Sequence, residues 1–238
     1  MGTNRNREQV FRFKQFSVAN RLAAMKVGTD GVLLGAWCGV EGCRTVLDVG
    51  TGSGLIALMI AQRCPEAHVT ALDIVPEAVA EAAENAAASP WGDRITVMEA
   101  DFNRAVADRL LPRYDLIVSN PPYFTTAIKS PEAARAVARH GAGLGYADIL
   151  RNASALLNPG GRVALVSPAD RENDITLDCS LAGLSVARLT RVYTKPSAQS
   201  PSRLLWEISV VPSPLVAETL VIGSPAYNSL LRDFYLAL

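Results

Sequence analysis

The sequence predicts an α/β fold: a seven-stranded, mostly parallel sheet with helices on both faces and an antiparallel hairpin at one edge. Three observations predict it. Short apolar runs of strand length alternate with helical segments from residue 45 onward. The first of those strands enters its helix through a glycine-rich turn, Gly50-Thr51-Gly52-Ser53-Gly54. The last two strands follow one another across the Ser/Pro-rich stretch 195–202 with no helix between them, which makes them an antiparallel pair.

Each element has a local cause. Residues 29–38 read as a helix that Thr29 or Asp30 would cap. The apolar run 45–49 is a strand, and 54–63, rich in Leu, Ile, Ala and Met, is the helix after it. Strand 68–73 precedes helix 76–88, which opens on Pro76 and Glu77, a fixed φ and a charge that favours the helix amino terminus. Strands 94–98 and 114–118 come next, then an insert at 124–140 without strand or helix periodicity. Helix 146–157 stops at Asn158-Pro159-Gly160-Gly161, a turn signal, before strand 162–167 and helix 169–182. Strands 185–194 and 203–211 form the closing pair. With no repeat and no internal boundary, the chain is read as one domain, 1–238: an amino-terminal extension 1–42, a core 43–212 and a tail 213–238.

Composition narrows the function classes. Half the 238 residues are hydrophobic, yet no run of eighteen apolar residues is free of charge, so no membrane span is expected. The first fifteen residues are polar and basic and lack the apolar stretch of a secretory signal. Cys38, Cys43, Cys64 and Cys179 form no C-x-x-C pair, and His68 and His140 stand alone. Reduced, buried thiols in a cytoplasmic protein without a metal site are the expectation.

The chemistry concentrates at strand ends. Asn120-Pro121-Pro122-Tyr123 follows the strand 114–118. The prolines cannot donate and hold φ, so the Asn side-chain oxygen and the Pro121 carbonyl form a stiff pair of acceptors. Two converging acceptors suit an –NH2 group, and Tyr123 adds a flat face for a planar base or amide. The glycine turn is G-x-G-x-G, neither the G-x-G-x-x-G of dinucleotide enzymes nor a P-loop with its Lys. It brings a ligand close to backbone N–H groups at the start of a helix. Asp48, Asp73 and Asp101 end three successive strands at the same sheet edge. Asp73 is placed for the two hydroxyls of a ribose and Asp101 for an adenine amino group. Singly, each is also an ordinary turn former or helix cap.

Leu47 to Gly54, Asp73 and Asn120-Pro121-Pro122-Tyr123 resemble the motif set of S-adenosylmethionine-dependent amino methyltransferases of the Rossmann-like class I fold. Phe13 to Phe16, Met25 to Trp37 and Arg232 to Leu236 are similar to the corresponding blocks of one family, the bacterial valine-tRNA adenine-N6 methyltransferases, which modify the adenine beside the anticodon. That resemblance runs over nearly the whole chain. It implies S-adenosylmethionine as cofactor, held by Asp48, Gly50, Thr51, Gly52 and Gly54 at its methionine part, by Asp73 and Ile74 at the ribose, and by Asp101 and Phe102 at the adenine. Thr29 and Asp30 would close over it, with Asn120 at its reactive end. Asn120, Pro121, Pro122 and Tyr123 are the implied catalytic set, acting on the N6 amino group of a flipped adenine. The methyl donor is already activated, so positioning carries the catalysis without a metal.

Net charge is zero, but its distribution is not even. Arg5, Arg7, Arg12 and Lys14 cluster near the amino terminus among Phe11, Phe13 and Phe16, and Lys129, Arg135 and Arg139 follow the Asn-Pro-Pro-Tyr segment. Both clusters are candidate tRNA-binding residues, because phosphates respond to local basic faces rather than to net charge. A monomer is expected. The same –NH2 chemistry serves guanine-N2, DNA adenine and protein glutamine methylation, but the residues before the first strand leave little room for the amino-terminal helical domain usual in the glutamine enzymes, and no target-recognition domain of the size usual in DNA enzymes is visible. An oxidoreductase lacks its dinucleotide fingerprint, and a pyrimidine-C5 enzyme lacks a cysteine in the active loop, since none lies between Cys64 and Cys179.

Overall fold

The computed structural model describes residues 10–22, 27–122 and 144–237. Its centre is an eight-stranded sheet. In chain order the elements are β1 (Val10–Arg12), β2 (Ser17–Ala19), α1 (Thr29–Trp37), β3 (Thr45–Val49), α2 (Leu55–Arg63), β4 (His68–Asp73), α3 (Pro76–Ala87), β5 (Ile95–Glu99), α4 (Phe102–Ala107), β6 (Tyr114–Ser119), α5 (Tyr146–Leu156), β7 (Leu157–Pro168), α6 (Glu172–Leu181), β8 (Ser185–Tyr193), β9 (Arg203–Ser209), β10 (Val216–Val221) and α7 (Pro225–Leu231). The sheet order is β10-β8-β9-β7-β6-β3-β4-β5. Only β9 runs against its neighbours; every other pair in the sheet is parallel.

The central strands are apolar along their length because both faces are covered. Val46 faces the layer of α1, α2 and α7, whereas Leu47 and Val49 face α4, α5 and α6, and all three are fully buried. Burial of each such side chain contributes on the order of 1.5–3 kcal/mol. Alternation along β3 therefore turns Asp48 toward α2, at the strand end where a buried carboxylate needs partners.

The seven expected strands are present, and an eighth corrects the expected edge. Val216–Val221, within the expected tail, pairs in parallel with β8, so the antiparallel pair β8–β9 lies one strand inside the sheet. The first four residues of β10 are exposed, and this one-sided burial left no alternation to read. The Asn158–Gly161 turn lies inside the run assigned to β7, where Gly160 takes φ +78°.

The amino-terminal segment carries a short hairpin, β1–β2, that joins the carboxyl-terminal region. Phe13 stacks on Phe16 at 4.5 Å and lies parallel to Tyr235 at 6.1 Å, while Trp91 meets Phe16 edge-on. The Lys14 N–H donates to Phe234 O at 2.8 Å. Phe13 and Phe16 are thus core residues, buried by one another and by Trp91, rather than part of a base-stacking surface; only Phe11 is exposed. No helix among the described residues is long and apolar enough to cross a membrane.

Candidate active site

Strand order places the motifs together. β3 lies between β4 and β6, with Asp48 opposite Ala71 on one side and Val118 on the other. The Ser119 hydroxyl donates to Val49 O at 2.7 Å, tying the ends of β3 and β6 and bringing Asn120 beside the glycine turn. Neither the hydroxyl nor its partner is signalled by a local pattern, so sequence reading passed Ser119 over.

The turn needs its glycines. Gly50, Gly52 and Gly54 take φ of +71°, +58° and +81°, in the left-handed region that side chains disfavour. The N–H groups of Gly50 and Thr51 both donate to Leu72 O, at 2.8 and 3.0 Å, which fixes the turn to the end of β4. Gly54 then caps α2. Among the described residues, a Cβ on Gly52 would meet nothing within 4 Å, and one on Gly50 would meet only Leu144 Cδ2, at 3.5 Å. The turn is thus clear of the other described residues.

Asp48 is fully buried at the base of the turn. Its Oδ2 accepts from the Thr51 hydroxyl at 2.6 Å and from Ala57 N–H at 3.2 Å. Its Oδ1 is buried with no hydrogen-bond partner among the described residues. Burial pushes the carboxyl up to about 7; the hydrogen bonds from Thr51 and Ala57 pull the other way, and the charge of Asp73 adds to the rise. A buried acceptor in this condition suits a cationic or hydrogen-bonding ligand group.

Asp73 is buried too, and each oxygen takes one backbone N–H: Oδ2 from Gly52 at 2.8 Å and Oδ1 from Val75 at 3.0 Å. Carboxylate oxygens accept more than one bond, so both retain capacity for a diol. Ile74 beside it is half-buried. Asp101 caps α4, accepting Arg104 N–H at 2.8 Å through Oδ1, so the helix-cap role and a ligand role share one side chain. Phe102 packs into the core under α4, 4% exposed.

One expectation about α1 is corrected. Gly28, in extended conformation, takes the cap position, so neither Thr29 nor Asp30 does; Thr29 is exposed in the first turn. Asp30 Oδ2 is engaged by Arg203 Nε at 2.8 Å, an ion pair from α1 to the start of β9. That contact orients the helix so that Gly31 abuts the site: a Cβ there would stand 3.3 Å from Leu55 Cδ2 and 3.9 Å from Asn120 Nδ2. Arg203 lies 173 residues from Asp30, and only the fold brings them together. Tyr146, half-buried nearby, donates to Val166 O at 3.1 Å, and burial pushes its hydroxyl pKa up.

Pro121 is buried and Pro122 half-buried, next to Asn120 at the sheet edge. Arg12 is exposed on β1, and the Lys14 ammonium donates to Arg232 O at 2.5 Å. Tyr123, Arg5, Arg7, Lys129, Arg135 and Arg139 lie outside the described residues.

Comparison with known proteins agrees with this geometry. The family model of the methyltransferase small domain matches residues 32–194. A Bacteroides fragilis protein named tRNA1(Val) (adenine(37)-N6)-methyltransferase is 45% identical over 95% of this chain and 97% of its own. A Porphyromonas gingivalis protein of the same name is 43% identical, over 95% of this chain and 94% of its own. A crystal structure described as a predicted O-methyltransferase from Agrobacterium tumefaciens superposes with a TM-score of 0.65 at 22% identity, covering 88% of this chain and 99% of that one, a likeness of fold.

Proposed function

The chain belongs to the tRNA1(Val) (adenine(37)-N6)-methyltransferase family, and on that premise we propose that it methylates the exocyclic N6 of an adenine beside a tRNA anticodon, as a cytoplasmic monomer. The observation that carries the reading is the tie of β6 to β3 through Ser119, which sets Asn120 against the glycine turn and Asp48. When bound, S-adenosylmethionine supplies an electrophilic methyl group. The residues present fit it: Asp48 Oδ1, without a partner among the described residues, would meet the methionine ammonium, the turn at Gly52, clear of other described residues, would admit its chain, and the two Asp73 oxygens would accept from the ribose hydroxyls.

Asn120 Oδ1 and the Pro121 carbonyl accept the two N6 hydrogens of the adenine. Held in this way, the nitrogen lone pair turns out of conjugation with the ring and toward the methyl group. Pro121 and Pro122 keep the acceptors from relaxing, and Tyr123 stacks on the extruded base. Transfer would form the N–CH3 bond as the S–CH3 bond breaks with its electron pair passing to sulfur, so that S-adenosylhomocysteine leaves and the nitrogen releases one proton to water. Arg5, Arg7, Arg12, Lys14, Lys129, Arg135 and Arg139 neutralise phosphates of the anticodon arm.

The test is methyl transfer from radiolabelled S-adenosylmethionine into tRNA, ribosomal RNA, DNA and protein extract in parallel. Label in tRNA that digests to N6-methyladenosine is expected. Label in protein alone would move the activity to amide methylation and remove the RNA reading.

A further inference from the structure

One stripe of α3 grips both the amino-terminal segment and the glycine turn. Asn85 is 4% exposed and its amide is used in full. Oδ1 accepts Ala19 N–H at 2.8 Å, while Nδ2 donates to Ala19 O at 2.8 Å and to Ser53 O at 2.9 Å. Glu81, one helical turn earlier and 1% exposed, accepts through Oε1 from the N–H groups of Arg21 at 2.5 Å and Leu22 at 3.0 Å. Between them on the helix, Ala82 packs against Gly54, whose Cβ would stand 3.4 Å from that of Ala82.

This arrangement costs more than core packing alone would require. Burying a carboxylate is unfavourable unless it gains hydrogen bonds, and Glu81 directs its own to the main chain of a segment whose Arg21 and Leu22 are exposed. Leu22, at 56% exposure, returns little apolar burial. The return is geometric. Asn85 bridges Ala19 directly to Ser53, inside the turn, and the same chain goes on to form α1, whose Gly31 borders Asn120.

We infer that Asn85 and Glu81 are positioning residues for the cofactor site: they register the segment Ala19–Leu22 to the glycine turn, so that turn and amino-terminal segment receive the ligand as one surface. This rests on the S-adenosylmethionine reading of the site. Neither side chain touches reacting atoms, so their loss acts on cofactor affinity rather than on the methyl-transfer step.

The test is calorimetric binding of S-adenosylhomocysteine, with steady-state kinetics on tRNA. Asn85→Asp conserves volume but presents an oxygen to the carbonyls of Ala19 and Ser53. With the turn and the amino-terminal segment out of register, binding is expected to weaken by about tenfold or more, with kcat at saturating cofactor within about threefold of wild type. Glu84→Gln, which removes only the exposed contact with Arg21, is expected to bind as wild type does. Unchanged affinity in a folded Asn85→Asp protein, or a fall in kcat with affinity intact, overturns the inference. Should that variant not fold, hydrogen exchange of the wild-type protein decides. The amides of Ala19, Arg21 and Leu22 are expected to slow when S-adenosylhomocysteine binds, and exchange that ignores the ligand overturns the inference. Failure of the wild-type protein to bind S-adenosylhomocysteine would instead remove the cofactor reading on which it rests.

Discussion

Replacing Asp48 by Asn tests whether the carboxylate at the base of the site is held at the expense of stability. Burial raises its pKa from 3.8 to about 7 in the folded protein. The unfolded chain releases this proton near pH 4, whereas the folded protein keeps it until about pH 7. Stability contributed below pH 4 is therefore lost progressively as pH rises across that window, at about 1.4 kcal/mol per unit. Over roughly three units the loss is on the order of 4 kcal/mol, a large share of the ~5–15 kcal/mol that hold a typical domain together. Asn has the same shape and no proton to lose. The difference in unfolding free energy between Asp48→Asn and wild type should thus grow by a few kcal/mol in favour of the variant between pH 4 and pH 8. Titrating groups not coupled to Asp48 cancel in that difference; Asp73, whose charge adds to the rise, does not. Urea unfolding of both ligand-free proteins across this range measures it. At the same time the variant should bind S-adenosylhomocysteine more weakly, because the ammonium loses its counter-charge, and wild-type affinity should fall as pH drops below 7. Parallel stability profiles for the two proteins would refute the account of Asp48 as a strained buried acid.

Other perturbations separate binding from chemistry. Asn120→Ala removes an acceptor aimed at the substrate amine, so kcat should fall about 100-fold or more with S-adenosylhomocysteine affinity nearly unchanged, as read by single-turnover kinetics and calorimetry. Gly52→Ala adds a methyl group where no described residue stands within 4 Å but at φ +58°. Folding stability should drop by only about 1 kcal/mol while cofactor affinity falls much further, and a thermal shift assay with and without ligand compares the two. Arg203→Ala removes the ion pair that ties half-buried Asp30 of α1 to β9 and should cost about 1–3 kcal/mol in chemical denaturation, with a lower kcat as α1 shifts from Asn120.

What the sequence disclosed about this site was local. The positive-φ glycines, the rigid Asn-Pro-Pro step and the acids at strand ends each follow from the conformational demands of a few consecutive residues, and Gly50 to Gly54 adopt the turn their spacing implies. The parallel core was legible for the same reason, since β3, β4 and β6 are largely buried on both faces and read as short, mostly apolar runs. Distant pairings were not legible. Asp30 looked like a cap because Arg203 is far along the chain, and whether Phe13 and Phe16 lie in the core could not be read because Trp91 and Tyr235, which cover them, are equally remote. β10 escaped notice because most of its side chains face solvent, and Glu81 and Asn85 passed as ordinary helix residues because their bonds go to backbone, which carries no sequence signature.

The joining of the amino-terminal hairpin to the carboxyl-terminal region has a bearing on how the protein is made. Lys14 bonds Arg232 across 218 residues of chain, and Phe13 lies against Tyr235. On the ribosome, domains consolidate from the amino terminus as they emerge. Here the hairpin's contacts with Arg232, Phe234 and Tyr235 form only after that later segment has emerged. A nascent polypeptide that has completed α3 can already hold Ala19 through Asn85, while Phe13 still lacks the ring of Tyr235. The hairpin thus locks down in two stages, first onto α3 and then onto the segment that follows α7.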